Sequence, residues 1–122
     1  MTETKRNLYQ RINEVMRAVS YVQKEERQVN NQYRFVSHDA VVAALRGPMV
    51  DAGICYLVDV TAHVQDGNRT TVDVDVTFIN CDQPDERITV RSFGYGVDSQ
   101  DKGPGKAVSY AVKYALLKQF AL

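Results

Sequence analysis

The last third of the chain concentrates the residues best suited to holding a polyanion. Gly94-Tyr95-Gly96 closes a strand and leads through Val97-Asp98-Ser99-Gln100-Asp101-Lys102-Gly103-Pro104-Gly105 to Lys106, where a helix reads from Ala107 to Lys118. The unpaired N–H groups of a helix start carry partial positive charge, and Lys102 and Lys106 sit beside them. At about 100° per residue, Val108, Ala111, Val112, Ala115 and Leu116 share one side of the helix. Lys106, Tyr110, Lys113 and Leu117 share the other, with Tyr114 and Lys118 flanking. Ammonium groups suit phosphates and phenol rings suit bases, the pairing found in single-strand nucleic-acid binders. The plainer reading is an amphipathic helix with a solvated lysine face. The interleaved tyrosines and the two lysines of the glycine-rich loop weigh against it.

Arg87, Arg91, Phe93 and Tyr95 fall on one face of the strand before that loop. Arg91 and Tyr95 lead directly toward Lys102 and Lys106, which predicts a continuous cationic and aromatic track. Phe93 and Tyr95 fit a contact with a neighbouring subunit equally well. Lys24, Arg27 and Arg34 are candidates for a second wall of the groove, or serve solubility only. Asp59, Asp73 and Asp75 are expected on an outer sheet face with His63, where carboxylates could hold Mg²⁺ for phosphodiester cleavage. No Glu-x-Lys element accompanies them, so an acidic, solvent-facing sheet is the better reading. Gly103-Pro104-Gly105-Lys106 imitates a phosphate loop, but Ala107 follows where nucleotide hydrolysis needs a hydroxyl for Mg²⁺. No catalytic residue, metal site or cofactor is expected.

These residues need elements to position them. Leu8, Ile12, Val15, Met16, Val19 and Val22 recur at helical spacing, so residues 5–22 read as an amphipathic helix with Leu8, Ile12 and Met16 exposed for subunit contacts. Val29, Asn30-Asn31 and Tyr33-Phe35 predict a small hairpin or extended arm. Ser37 caps a second helix, Gly47-Pro48 should kink or restart it, and Gly53 ends it. Ile54, Tyr56, Val58, Val60, Ala62 and Val64 alternate with polar residues, as do Val72, Val74, Val76 and Phe78, and then Ile88 and Val90. Asp66-Gly67-Asn68 is a hairpin turn. The expected class is α+β: an antiparallel three-stranded meander covered by the C-terminal helix and preceded by a helix, a small hairpin and a second helix.

A chain of 122 residues reads as one domain, 1–122. It has 44% hydrophobic and 25% charged residues, ordinary for a globular protein. No apolar run reaches membrane-spanning length and the N-terminus lacks a signal peptide's apolar segment, so a cytoplasmic protein is expected. Cys55 and Cys81 form neither a disulfide framework nor a zinc set. Net charge is zero, which argues against a basic nucleic-acid-binding domain. Its distribution qualifies that argument: residues 54–95 hold three Lys/Arg against seven Asp/Glu, whereas 96–122 hold four against two. The helix has no stop signal before Leu122, which predicts a longer natural protein with this segment as its N-terminal core.

The run from Gly94 to Phe120 resembles the signature of the essential recombination function family of phage single-strand annealing proteins. The matching residues are Gly96, Asp98, Asp101-Lys102, Lys106-Ala107 and Ala111-Val112-Lys113-Tyr114-Ala115-Leu116. Tyr33-Arg34-Phe35-Val36-Ser37, Arg46, Pro48 and Gly53-Ile54 fit as well, so the resemblance spans roughly residues 5 to 122. The richness of Gly103-Pro104-Gly105 departs from the pattern. The resemblance implies a β-β-β-α annealing core that pairs complementary DNA strands without ATP, as a ring or helical homo-oligomer, in a bacterial host cell. It leaves room for a phage exonuclease or a single-strand-binding protein as partner. Lys113 and Lys106, then Lys102 and Arg91, are the expected phosphate contacts. Tyr114 and Tyr95 are the expected aromatic ones. Asp98 and Asp101 are expected to shape the loop, by accepting helix-start N–H groups or by pairing with Lys102. The rival from another class is an adaptor domain whose basic helix binds an acidic protein.

Overall fold

The computed structural model describes residues 5–19, 28–29, 33–34 and 37–122. Helix α1 spans Leu8–Ala18 and opens on a reciprocal cap. The Gln10 N–H donates to Asn7 Oδ1 at 2.8 Å, and the Asn7 N–H donates to Gln10 Oε1 at 2.7 Å. Strands β1 (Gln28–Val29) and β2 (Tyr33–Arg34) pair antiparallel as the small hairpin. Helix α2, His38–Ala52, starts where the Ala40 N–H donates to Ser37 Oγ at 3.0 Å. It ends on Gly53 at φ +71°, the left-handed conformation that glycine adopts without strain. Proline did not break it: α2 runs through Pro48, leaving Met49 and Ala52 beyond it in the core.

Strands β3 (Ile54–Asp66), β4 (Arg69–Asn80) and β5 (Arg87–Val97) form one antiparallel sheet in that order, followed by helix α3, Gly103–Gln119. Val72, Val74, Val76 and Phe78 point from β4 into a core closed by all three helices. Ala107, Ala111 and Ala115 let α3 lie close on β4 and β5. The approach is so tight at Gly94 that a Cβ there would run into the Ala107 carbonyl and the Ala111 nitrogen. Ser92 Oγ fastens the contact by donating to the Ala111 carbonyl at 2.8 Å. Because α3 covers β4 and β5, the length of β3 beyond Tyr56 is bare on both faces.

Two expectations need correction. The α1 side chains Leu8 and Ile12 are buried against α2 and the sheet, so neither offers a subunit contact; Met16 stays exposed. The expected helical residues 20–22 lie outside the described residues. The alternation along β3 is also interrupted. Val60 pairs with Val74 but Ala62 with Asp73, so Thr61 is an extra residue in a bulge. The bulge turns His63 to the helix side, opposite Val72, and takes it away from the aspartates. Asp59 and Asp75 remain direct neighbours across β3 and β4.

A cation fastens the other end of the fold. Arg11, on α1, is buried among polar partners. Its Nη2 meets Asp82 Oδ2 at 2.8 Å, its Nε donates to the Arg6 carbonyl at 2.8 Å, and Nη1 reaches the Ala52 and Gly53 carbonyls at 3.3 and 3.4 Å. One guanidinium thus reaches two carbonyls at the end of α2, of which that of Gly53 also accepts the Cys81 N–H, and joins three segments. The same contact holds the Asp82 carboxyl below the usual carboxylate range.

Candidate nucleic-acid interface

The cationic face of α3 is organised around a pair of tyrosines. Tyr110 and Tyr114 lie one turn apart, and their rings pack at a centroid distance of 4.7 Å. Tyr95 of β5 extends the row, 5.2 Å from Tyr110. Arg69 covers the Tyr95 ring, its Cζ 4.3 Å from the centroid. Lys113 places its Nζ 5.1 Å and 4.9 Å from the Tyr110 and Tyr114 rings. That cation is held by ring quadrupoles, with no carboxylate beside it among the described residues, so its charge stays available to an anion. The Tyr110 phenol is pushed up to about 12, first by the neighbouring Tyr114 phenol and then by burial.

The tyrosine ridge separates two clefts. On one side, Lys106, Ser109, Tyr110 and Lys113 face Ser37 and His38 at the start of α2, around a cleft of about 240 Å³. On the other, Tyr110, Tyr114 and Lys118 face Arg91, Ser92 and Phe93 of β5 across about 330 Å³. Helix starts attract anions, although Asp39 in the first turn of α2 tempers that attraction.

Lys106 is engaged. Its Nζ lies 2.9 Å from Asp98 Oδ2 and 3.3 Å from the Val97 carbonyl. Asp98 therefore shapes the loop as expected, but with Lys106 as its side-chain partner in place of Lys102. Its second oxygen accepts the Gln100 N–H at 2.9 Å. The Lys106 contact, then that N–H, hold the Asp98 carboxyl below its ordinary range. Lys102 precedes α3 with no side-chain cap and is exposed.

The predicted residues are only partly assembled. Lys106, Lys113 and Tyr114 share α3, and Tyr95 joins them through Tyr110. Arg91 is exposed on β5 and lines the second cleft with Tyr114 and Lys118, on the other side of the ridge from Lys106, its Nε 3.3 Å from Asp75 Oδ1. Arg34 belongs to β2, whereas Lys24 and Arg27 lie outside the described residues. Tyr110 and Lys118, which the spacing places on the helix face but not among the expected contacts, line the ridge and its clefts, and Arg69 joins them unannounced. The four-residue spacing from Tyr110 to Tyr114 was a readable sign of the ring contact; nothing local points from Arg69 to Tyr95. Among the described residues no group of three His, Cys, Asp or Glu side chains could hold a metal ion, and no helix is long and apolar enough to cross a membrane.

Gly96, Asp98, Asp101-Lys102, Lys106-Ala107 and Ala111–Leu116, the residues that carry the resemblance, all fall at the end of β5, in the loop after it or on α3. A sequence model of the ERF superfamily matches residues 8–122, nearly the whole chain. The chain belongs to the ERF superfamily. Membership places this ERF protein in general terms among phage recombination and annealing proteins, a family that anneals strands rather than acting as enzymes. Its partners are accordingly related to DNA. No curated protein sequence matches the chain.

Proposed function

We propose that this domain binds single-stranded DNA and anneals complementary strands without ATP, as an oligomer in the bacterial cytoplasm. The observation that carries the reading is the face of α3, where Lys113 rides on the Tyr110–Tyr114 pair beside Lys106 and the start of α2. Strands that are to pair repel each other through their phosphates. A surface that neutralises phosphates and leaves base edges free lowers that barrier without fuel. Lys113 and Lys106 take phosphates, with Lys102 at the end of the track. Tyr114 offers a ring to the bases, and Tyr95, under Arg69, keeps Tyr110 in place. Arg34 of the hairpin that precedes α2, with Lys24 and Arg27 near it in sequence, adds further phosphate contacts. One subunit covers few nucleotides, so a useful length of strand needs several subunits side by side. An exonuclease or a single-strand-binding protein would supply or hand over the strands.

The test is strand pairing between two complementary dye-labelled oligonucleotides, without ATP or Mg²⁺. Energy transfer should appear faster with the protein than without it, and Lys106→Ala/Lys113→Ala should remove the acceleration. Pairing at the spontaneous rate with folded wild-type protein would overturn the reading and favour an adaptor role for the basic helix.

A further inference from the structure

The sheet ends in two strands that have no partner on their outer sides among the described residues, β3 with 13 residues and β5 with 11. A long, bare edge is a template for another strand and is normally blunted by charge, proline or cover. β3 is not blunted. Leu57 is 59% exposed, Val58 40% and Val60 43%. The β5 edge borders the cleft between Phe93, Tyr110 and Tyr114, and Phe93 is 65% exposed.

The charges on the two edges are of opposite sign. β3 contains Asp59 and Asp66 and no Lys or Arg, whereas β5 contains Arg87 and Arg91 and no Asp or Glu. Lys118 adds a second cation to the β5 cleft beside Arg91. Asp59 stands opposite another carboxylate, Asp75, a destabilising cross-strand pair. Among the described residues Asp59 has no cation partner, since Arg91 is turned to Asp75.

We propose that the β3 edge of one copy docks against the β5 edge of a second copy, with Asp59 facing the Arg91 and Lys118 side of the cleft. Val58 and Val60, on the helix side of β3, then enter the cleft, while Leu57 and Asp59 lie on the Arg91 side. The charges set the pairing: β3 on β3 would oppose aspartates and β5 on β5 would oppose arginines. β4 is antiparallel to both edges, so β3 and β5 run the same way and a copy added in the same orientation pairs in parallel. Each subunit keeps one free edge of each kind, so the contact repeats head to tail and gives a ring or a helix. The proposal deepens the oligomeric part of the annealing reading. It gives Arg91 to assembly and sets the neighbour on the opposite side of the tyrosine ridge from the lysine cleft.

The test is a charge exchange read by sedimentation in the absence of DNA. Wild type should sediment as a multimer. Asp59→Lys and Arg91→Asp should each fall toward a single chain, and mixing the two should restore the multimer, because every contact in the mixture pairs opposite charges. A wild type that remains a single chain at high micromolar concentration overturns the proposal. So does unchanged assembly of both variants, or a mixture that does not recover. Amide exchange on the wild type checks the same contact without a variant: the β3 and β5 edges should be more protected in concentrated than in dilute protein, and equal rates overturn it. A single chain that still binds single strands sinks the assembly alone. A multimer indifferent to DNA sinks the annealing reading alone.

Discussion

Arg11 and Lys113 are both cations on helices, and they are held in opposite ways. Arg11 is buried, and each of its nitrogens has a protein partner: Asp82 and the carbonyls of Arg6, Ala52 and Gly53. Lys113 is half-exposed and rests on two phenol rings. The first has no capacity left for a ligand and serves the fold. The second is preorganised yet unspent. A positive charge in this protein is therefore read by its partners, and the count of basic residues, neutral overall, says little about where an anion would bind.

The comparison breaks most easily at Arg11. Replacing it with alanine strips partners from buried carbonyls and leaves a void, at a cost of about 3 kcal/mol. Urea unfolding should show this as a lower midpoint, and an unchanged midpoint would mean that Arg11 is not the fastening described. Next comes Gly94→Ala, which forces α3 away from β5 at a cost of roughly 2 kcal/mol. It should lower the melting temperature and weaken DNA binding together, because the helix that carries the lysines moves with it.

Lys113→Ala should do the reverse of Arg11→Ala. Stability should change by less than about 1 kcal/mol, the worth of an exposed cation on a ring. Single-strand affinity should fall about fivefold, for roughly 1 kcal/mol of binding. Equal losses of stability and affinity would erase the distinction between the two cations. Asp98→Asn is the smallest perturbation, because exposed ion pairs contribute little. It frees Lys106, so affinity should rise slightly. Asp98 and Asp82 both have depressed folded-state values, so their contributions hold above the ordinary carboxylate range, near pH ~4. They are lost as pH falls through the folded values. Thermal melts from neutral pH down through that range should show the loss, with the acid end of the curve flattened in Asp98→Asn.

Much of this architecture was legible. Ser37 and Gly53 bracket α2 by cap chemistry that belongs to single residues, and the valines of β4 declare their face by period. Local rules failed where the deciding partner was distant or where one residue altered the count. Arg11 reads as surface on its own helix; its burial depends on Asp82, seventy-one positions away. Thr61 resembles any other polar strand residue, yet its bulge reverses His63. Pro48 carried a helix-breaking signal, but the packing of Met49 and Ala52 outweighed it. Within the candidate interface, the composition of the α3 face was readable because helical spacing alone arranges Lys106, Tyr110, Lys113 and Tyr114. The pairing of Lys106 with Asp98 was not, because it depends on the path of the loop between β5 and α3.

The most direct measurement is fluorescence anisotropy of labelled oligonucleotides, single- and double-stranded, across a salt series without ATP or Mg²⁺. Preference for the single strand and a linear fall of log affinity with log salt are expected. Lys106→Ala/Lys113→Ala should flatten that slope by about 0.7 for each phosphate contact removed. A folded wild type that binds neither form, or a double variant whose slope matches the wild type, would contradict the claim that the face of α3 carries the strand.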